Sequence, residues 1–359
     1  LSMSFYLPFA DVVIGRQAVT FGKAYLWNPL DVYRPFDPTS FDRDYKAGVD
    51  ALRIEFPFGE TGSLTLLGAM SHDNANEGHG RWYGASTLAR VGWTAMEWDI
   101  AIQAGKVYGG FQGGAAATGE IGPLNARLEG AHFEPLEDDD FLRHQSVVVG
   151  LGHTFENTFK IELEYFYNGG ASSMKPERQK AVLTAPAMAA LQGAAQDASA
   201  FCERFADLVP AGSNCAEQAG TIASNPAVQK MVMERVTQAV DGLSDDQLRR
   251  TVGLLRGVLN GRLYHTSVHL AGLVLSYEFL PILRGSLASI VSIADPSILI
   301  QPGLVYSAAD EVDVVIGALI SIGDRPSGEP EYCRSLGGCP ATEFGSYPHV
   351  FYLQSKIYF

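Results

Sequence analysis

The stretch that most constrains this chain is the ten residues 158–167, which read TFKIELEYFY. Apolar or aromatic side chains occupy positions 159, 161, 163, 165 and 167. Lys160, Glu162 and Glu164 alternate with them, and this period of two predicts a β-strand with one apolar and one charged face. About ten residues is also the length that a tilted strand needs to cross a bilayer. A charge on the lipid face would cost about 2–4 kcal/mol, so we expect the charged face to point into a polar interior.

The same alternation recurs along the chain, between connections whose lengths alternate. Short connections lie near residues 60, 95, 122, 157, 281 and 309, and long ones at 22–46, 71–81, 135–142, 169–261 and 323–347. Tight turns at one end and long loops at the other are typical of barrels of the outer membrane. About fifteen strand segments are counted, and such barrels have even strand numbers, so about sixteen are expected with one strand preceding Leu1, or else fourteen.

Residues 169–261 interrupt this alternation with helical patterns. Ser244 and Gln247 match a capping box, and apolar residues follow it at helical spacing. The sequence therefore predicts an all-β fold: a transmembrane antiparallel up-and-down β-barrel of about 14–16 strands with a helical insertion in one extracellular loop. Its parts are a first barrel region (1–168), the insertion (169–261) and a C-terminal barrel region (262–359). A soluble all-β protein with a helical subdomain is the competing fold.

Composition narrows the possible functions. The net charge of −14 argues against nucleic acid as a partner. Cysteines occur in two local pairs, Cys202 with Cys215 and Cys333 with Cys339, which predicts disulfides and an oxidising compartment. We expect no enzymatic activity, cofactor or metal, since no hydrolase or nucleotide-binding motif occurs. His265 and the histidine four residues later would lie about 13 Å apart on a strand, too far to share a metal ion.

The inward faces of the predicted strands carry charged residues from both halves of the barrel. The predicted pore-lining residues are Arg16, Arg53, Glu55, Arg90, Asp99, Arg127, Glu129, Lys160, Glu162, Glu164, Arg284 and Asp313. Four of the basic residues come from different strands of the first half: Arg53, Arg90, Arg127 and Lys160. One interpretation is that they form a basic wall that attracts anions. The alternative is that these charges pair across strands and fill a wet lumen. The loop at 22–46 either enters the lumen or forms an external lid.

Two short stretches resemble known outer-membrane proteins. Tyr352, Ile357 and Phe359 resemble the C-terminal signal that the outer-membrane assembly machinery reads, although Gln354 replaces the usual Gly. The sequences IGRQ at 14–17 and WNPLD at 27–31 resemble porin-type barrels of the alginate-export kind, over roughly residues 10–60. The resemblance implies a location in the outer membrane of a Gram-negative bacterium, in contact with its lipid and lipopolysaccharide. It does not extend to the helical insertion, so it implies no substrate.

We therefore expect an outer-membrane porin or channel for passive passage of small polar or anionic solutes. The alternative is a β-barrel scaffold subunit of a multiprotein cell-envelope complex that docks partners through residues 169–261. The insertion itself is expected to be a cap, a plug or such a docking element. A stable stoichiometric partner on purification would favour the scaffold.

Overall fold

The computed structural model describes residues 2–33, 36, 38–39, 46, 48–70, 84–136, 142–172, 198, 202, 214–240, 244–259, 263–325 and 342–358. The strands are β1 Ser2–Tyr6, β2 Asp11–Gln17, β3 Val49–Phe58, β4 Gly62–Ala69, β5 Ser86–Ala95, β6 Trp98–Val107, β7 Gly110–Ile121, β8 Leu124–Pro135, β9 His144–Thr154, β10 Lys160–Asn168, β11 His269–Leu280, β12 Leu283–Ser292, β13 Ser297–Ala309, β14 Val312–Ile322 and β15 Val350–Ile357. The helices are α1 Cys215–Ala223, α2 Pro226–Val240 and α3 Asp245–Leu259.

These strands form a single antiparallel sheet in which every strand pairs with its neighbours in sequence. Among the described residues the order runs from β1 to β15 without a crossover, so the topology is up-and-down. β10 pairs with β9 and β11, and its Glu162 lies opposite Gly152 and Val274. Side chains of β3 to β6 and side chains of β9 to β14 contact one loop from opposite sides, so the sheet curves around that loop. The predicted all-β antiparallel barrel is confirmed.

The outer face of the sheet is apolar along its whole circumference. Large exposed hydrophobic side chains recur on alternate positions of successive strands, such as Leu52, Leu66, Ile102, Leu128, Leu163 and Ile316. Aromatic rings cluster near the short-turn end, where the ring centroids of Phe159 and Tyr277 lie 6.4 Å apart and those of Tyr277 and Phe279 lie 5.1 Å apart. An apolar band bordered by aromatic residues is the surface that a lipid bilayer requires.

Connections at one end of the sheet are short throughout. They contain two to five residues, as at 96–97, where both Met96 and Glu97 adopt positive φ angles of 52° and 66°. At the other end, the connection between β2 and β3 spans residues 18–48 and that between β10 and β11 spans 169–268. Two connections at this end are short, 108–109 and 293–296. The long connections therefore gather at one end of the barrel.

The described helices all belong to the long connection between β10 and β11. The capping box is present, because the N–H of Ser244 donates to the side chain of Gln247 at 3.0 Å and the N–H of Gln247 to the Ser244 hydroxyl at 3.4 Å. The disulfide Cys202–Cys215 is confirmed and leads into α1. In α3, Leu254 packs on Leu263 of the same connection, and Gly253 lies against Leu142 of the β8–β9 connection at the long-loop end of the barrel. None of the described helices is long and apolar enough to cross a bilayer.

Candidate functional site

The central feature of the barrel interior is the segment 18–33 that follows β2, called here the lumen loop. Its apolar side chains pack on inward-facing residues of both halves of the sheet. Val19 and Phe21 contact a cluster that includes Leu67 of β4 and Leu88 of β5. Leu26 and Trp27 belong to a second cluster built from the opposite wall; its members there are Val148, Leu270, Val274, Ile290, Leu299 and Leu319. The loop therefore enters the lumen, which decides between the two positions that the sequence left open.

A carboxylate on β8 holds two points of the lumen loop by their backbone. Glu129 is fully buried at 0% exposure. Its two oxygens accept the N–H of Lys23 at 2.8 Å and the N–H of Leu30 at 2.7 Å. A buried carboxylate is costly unless hydrogen bonds satisfy it, and loop N–H groups need partners once they leave water. Glu129 and the loop therefore satisfy each other.

A second carboxylate, on β10, holds the middle of the loop. Glu164 is only 4% exposed and accepts N–H groups from the three consecutive residues 25–27. The bond to Leu26 measures 2.7 Å and the bond to Trp27 measures 3.4 Å. Successive N–H groups that converge on one carboxylate form a compact anion-binding concavity in the backbone. Hydrogen bonds to charged acceptors are each worth about 1.5–3 kcal/mol, so Glu164 is a strong anchor.

Two side-chain amides complete the attachment, and the sequence analysis did not identify either. Gln103 of β6 donates to the carbonyl of Leu30 at 2.8 Å. Gln112 of β7 donates to the carbonyl of Pro29 at 2.6 Å. Both glutamines are buried and lie on the inward face. Their inward parity was the available signal, but an amide on that face indicates only a polar lining until its partner is known.

Inward-facing glycines give the loop room to lie against the wall. A Cβ at Gly114 of β7 would come within 2.6 Å of Leu30. A Cβ at Gly272 of β11 would overlap the Leu26 side chain and lie 3.0 Å from the Trp27 ring. Glycine is required at these two positions because the loop approaches the strand backbone closely. The indole ring of Trp27 then stacks on Phe166 of β10, with ring centroids 5.5 Å apart.

A buried ion pair closes the loop at its far end. The ammonium group of Lys46 pairs with Asp31, and it also donates to the carbonyl of Val19. Side-chain exposure is 5% for Lys46 and 2% for Asp31. Lys46 thereby joins the beginning and the end of the lumen loop. Breaking such a pair leaves an unmatched buried charge, which costs about 3–5 kcal/mol.

The predicted basic residues border the space that the loop leaves open. On the wall, Arg127 forms a two-point ion pair with Glu162, and Lys160 approaches the same carboxylate at 3.0 Å. The Lys160 ammonium also lies 4.8 Å from the ring centroid of Tyr25 in the loop. Two cations therefore share one carboxylate. This agrees in part with the alternative that the inward charges pair across strands.

The guanidinium group of Arg90 on β5 contacts an amide and an aromatic ring. It donates to the side-chain oxygen of Gln103 at 3.0 Å, and its guanidinium carbon lies 5.1 Å from the centroid of the Phe21 ring. Cation–π contacts of this kind are worth about 0.5–2 kcal/mol. Arg90 therefore links the wall to the loop without a directly paired carboxylate in the described residues.

Exposure separates the acidic from the basic groups of this site. The carboxylates are enclosed: Glu129, Glu162 and Glu164 are exposed by 0%, 2% and 4%. The side chains of Arg127 and Lys160 are exposed by 17% and 33%, and Lys23 and Tyr25 of the loop are exposed outright. A solute beside the lumen loop therefore contacts these cations and a phenol ring rather than these three carboxylates.

The other predicted pore-lining residues lie elsewhere on the strands. Arg53 and Glu55 alternate with the buried Ala51 and share its inward face. Asp99 shares the inward face of Gln103 and accepts a hydrogen bond from the Thr94 hydroxyl at 2.6 Å. Arg284 of β12 and Asp313 of β14 share faces with inward-packed residues of the second cluster. None of these five contacts the lumen loop in the hydrogen bonds of the described residues, and their role as pore lining stays a prediction.

Arg16 lies at the long-loop end of β2. In the β2–β3 pair, Val13 lies opposite Arg53, whereas Arg16 lies opposite Asp50. Because side chains alternate along a strand, Arg16 is on the face opposite to Arg53. It forms an ion pair with Asp50 at 2.7 Å near the long-loop end of the barrel, with both side chains more than 60% exposed. Arg16 also borders the open space at that end, so its role as pore lining stays a prediction.

The C-terminal strand and the second cysteine pair are described only in part. Ile357 is 63% exposed on the outer face of β15, and Tyr352 lies opposite Gly317 of β14. Phe359, Cys333 and Cys339 lie outside the described residues. The proposed assembly signal and the second disulfide therefore stay predictions.

A compact polar cluster lies at the long-loop end beside Trp27. The carboxylate of Glu343 accepts the N–H of Thr266 at 3.1 Å and faces Nδ1 of His265 at 3.3 Å. Burial alone would raise the pKa of Glu343, but the hydrogen bonds from His265 and Thr266 outweigh it and hold the pKa below its usual value. His265 in turn lies between the rings of Trp27 and Phe344, at centroid distances of 6.2 and 5.8 Å. The cluster therefore connects the loop at 342–347 to the lumen loop.

Comparison with known proteins supports the fold and goes no further. No protein-family model matches the chain, and no curated protein matches its sequence. The crystal structure of Pseudomonas aeruginosa OccK11 (OpdR) superposes with a TM-score of 0.51 at 11% identity, over 90% of this chain and 74% of that one. Acinetobacter baumannii OccAB4 gives 0.48 at 5% identity, over 99% and 74% of the two chains. The outer membrane protein OpdK of Pseudomonas aeruginosa gives 0.47 at 8%, over 89% and 74%. The architecture is that of a porin-like β-barrel.

Proposed function

We propose that this protein is an outer-membrane channel of a Gram-negative bacterium that passes small polar solutes and prefers anions. The observation that carries the proposal is the lumen loop, which narrows a porin-like barrel without being part of its wall. A barrel of this size would otherwise leave a wide aqueous opening. A fixed loop inside the lumen is therefore a device that restricts which solutes pass.

The anion preference rests on the exposure of charged groups around the loop. The three carboxylates nearest the opening are covered, whereas Lys23, Arg127 and Lys160 present their charges to it. Rings of exposed charge set the selectivity of aqueous pores. We expect permeating anions to be favoured over cations by these three groups.

The test is single-channel conductance in a planar bilayer, with the anion-to-cation permeability ratio taken from the reversal potential in a salt gradient. Lys23→Glu reverses a charge at the opening and keeps the backbone N–H that binds Glu129. We expect wild-type protein to conduct with anion preference and Lys23→Glu to lower or reverse that preference.

The matched control is Lys230→Glu on α2, which makes the same charge change at a side chain that is 78% exposed outside the barrel. It should leave the ratio unchanged. A folded wild-type barrel that does not conduct would end the channel proposal, and an equal effect of the two variants would end the assignment of Lys23.

A scaffold function is the second candidate, and the helical insertion favours it. Gly253 of α3 lies against Leu142, which precedes β9, so the insertion is in contact with the long-loop end of the barrel. Partner proteins that dock on the insertion would make the barrel a subunit of a cell-envelope complex. A stoichiometric partner that co-purifies from native membranes, together with a silent bilayer, would support this candidate. Membership of the alginate-export type is a further proposal, supported by IGRQ at 14–17 and by WNPLD in the lumen loop.

A further inference from the structure

A cavity of about 760 Å³ lies between the lumen loop and the long-loop end of the barrel. The loop forms its floor with Trp27 and Asn28, and the wall contributes Phe133, Ser146 and Asn168 at the corresponding ends of β8, β9 and β10. Pockets that bind small ligands commonly have volumes of about 300–1,000 Å³. The cavity lies on the opposite side of the loop from the Arg127–Glu162 pair, so it is distinct from the charged opening.

The lining combines aromatic rings with polar groups that have no partner. The buried atoms Trp27 Nε1, Asn28 Oδ1, Asn168 Oδ1 and His265 Nε2 lack a hydrogen-bond partner among the described residues. Buried polar groups are normally satisfied, and each exception calls for an explanation. A ligand with several hydroxyl groups would supply both donors and acceptors to such a set.

Charge on the lining is already balanced. Asp31 is paired with Lys46, and Arg16 and Asp50 pair with each other at the outer edge of the cavity. A charged solute would therefore find no unmatched partner on these residues and would lose its hydration, which is costly. An uncharged solute avoids that cost. The half-buried rings of Tyr108 and Phe166 line the cavity and offer flat apolar faces to a ring-shaped solute.

We propose that this cavity is a binding site for a neutral cyclic polyol of the monosaccharide class. The inference rests on the proposed channel function. It places a binding site for the solute ahead of the charged opening. A neutral sugar would be held above the lumen loop by side-chain hydrogen bonds and ring contacts. Anions would be distinguished lower in the lumen, at the basic residues.

The test is isothermal titration of the folded full chain in detergent with D-glucose, D-glucuronate and D-glucosamine as neutral, anionic and cationic probes. Ser146→Phe fills the cavity from β9, where Ser146 is 7% exposed on the inward face. Trp27→Phe keeps an aromatic ring and removes the indole N–H. Ser289→Phe is the matched control, because residue 289 alternates with the buried Ile290 and lies on the lipid face of β12.

We expect saturable binding of D-glucose, a loss of about tenfold or more in affinity in Ser146→Phe, and wild-type affinity in Ser289→Phe; tenfold corresponds to about 1.4 kcal/mol. Trp27→Phe should weaken binding to a smaller extent. Absence of saturable D-glucose binding, tighter binding of either charged probe, or equal effects of the two phenylalanine variants at 146 and 289 would overturn the proposal. Conductance measured on the same preparations separates this result from the channel proposal, since either can fail while the other holds.

Discussion

The carboxylate of Glu164 accepts the backbone N–H of Leu26 at 2.7 Å, although the two residues are 138 positions apart in the chain. This bond joins the middle of the lumen loop to a strand in the centre of the sheet. Because the neighbouring N–H groups converge on the same carboxylate, one side chain fixes the position of several loop residues. The width of the opening therefore depends on a few wall side chains that do not themselves border it.

Loss of the two anchoring carboxylates should widen the opening. The double variant Glu129→Gln/Glu164→Gln keeps the side-chain shapes but replaces charge-assisted hydrogen bonds by neutral ones, which weakens loop attachment by about 1–3 kcal/mol per site. We expect a larger and noisier single-channel conductance. Glu60→Gln, at an exposed turn on the short-turn end, serves as the control and should conduct like the wild type. Unchanged conductance in the double variant would mean that the loop does not limit the opening.

A methyl group at Gly272 should displace the loop from the wall. In Gly272→Ala the new Cβ would overlap the side chain of Leu26, so Leu26 and Trp27 must move. Overpacking of this kind costs about 1–3 kcal/mol, and we expect a lower melting temperature together with an altered conductance. The matched change Gly68→Ala meets no atom within 4 Å and should be silent in both measurements. A silent Gly272→Ala would contradict the close approach of loop and strand.

The Glu343 cluster should lose its stabilising contribution in acid. Because the pKa of Glu343 is below its usual value in the folded protein, its contribution is complete above the unfolded pKa of about 4.3 and is lost as the pH falls through the lower folded value. Hydrogen exchange of the Thr266 amide, corrected for intrinsic rate, reports this directly. We expect protection to fall from about pH 5 downwards in wild type.

In Glu343→Gln, the same amide should be less protected at neutral pH and nearly independent of pH below it. Thr266 keeps a hydrogen-bond acceptor in this variant but loses the ionised one. Equal pH dependence in the two proteins would assign the acid sensitivity to another group.

The Cys202–Cys215 disulfide should stabilise the insertion and leave the barrel unaffected. It closes a sequence separation of 13 residues, which in the chain-entropy model contributes about 3 kcal/mol. We expect the double variant Cys202→Ser/Cys215→Ser to be cleaved faster by protease near α1. The folded barrel should migrate differently on electrophoresis before and after heating. This heat-modifiable mobility should be the same in the variant and in wild type. Loss of that mobility would show that the insertion supports the barrel.

Sequence periodicity predicts most of the barrel but little of the lumen. Glu162 and Glu164 are both placed on the inward face by alternation alone, because register and burial follow the same period of two. Alternation gives no information about what lies opposite an inward side chain. Glu164 is therefore predicted only as general pore lining, and Gln103 is not singled out, although each binds a loop far away in sequence. The sequence leaves the facing of Arg16 open for a related reason, because both parities of its segment are similarly apolar.

Assembly order follows from how far apart the lumen-loop contacts lie in the chain. Leu30 binds Gln103 and Glu129, which come 73 and 99 residues later, and Leu26 binds Glu164 later still. Contacts across such separations form late, because the intervening chain must first be ordered. The strands β6 to β10 must then be paired before the loop has anything to bind. A barrel caught partway through insertion would accordingly be leakier than the finished protein, and the last step of its folding would be the one that closes it to large solutes.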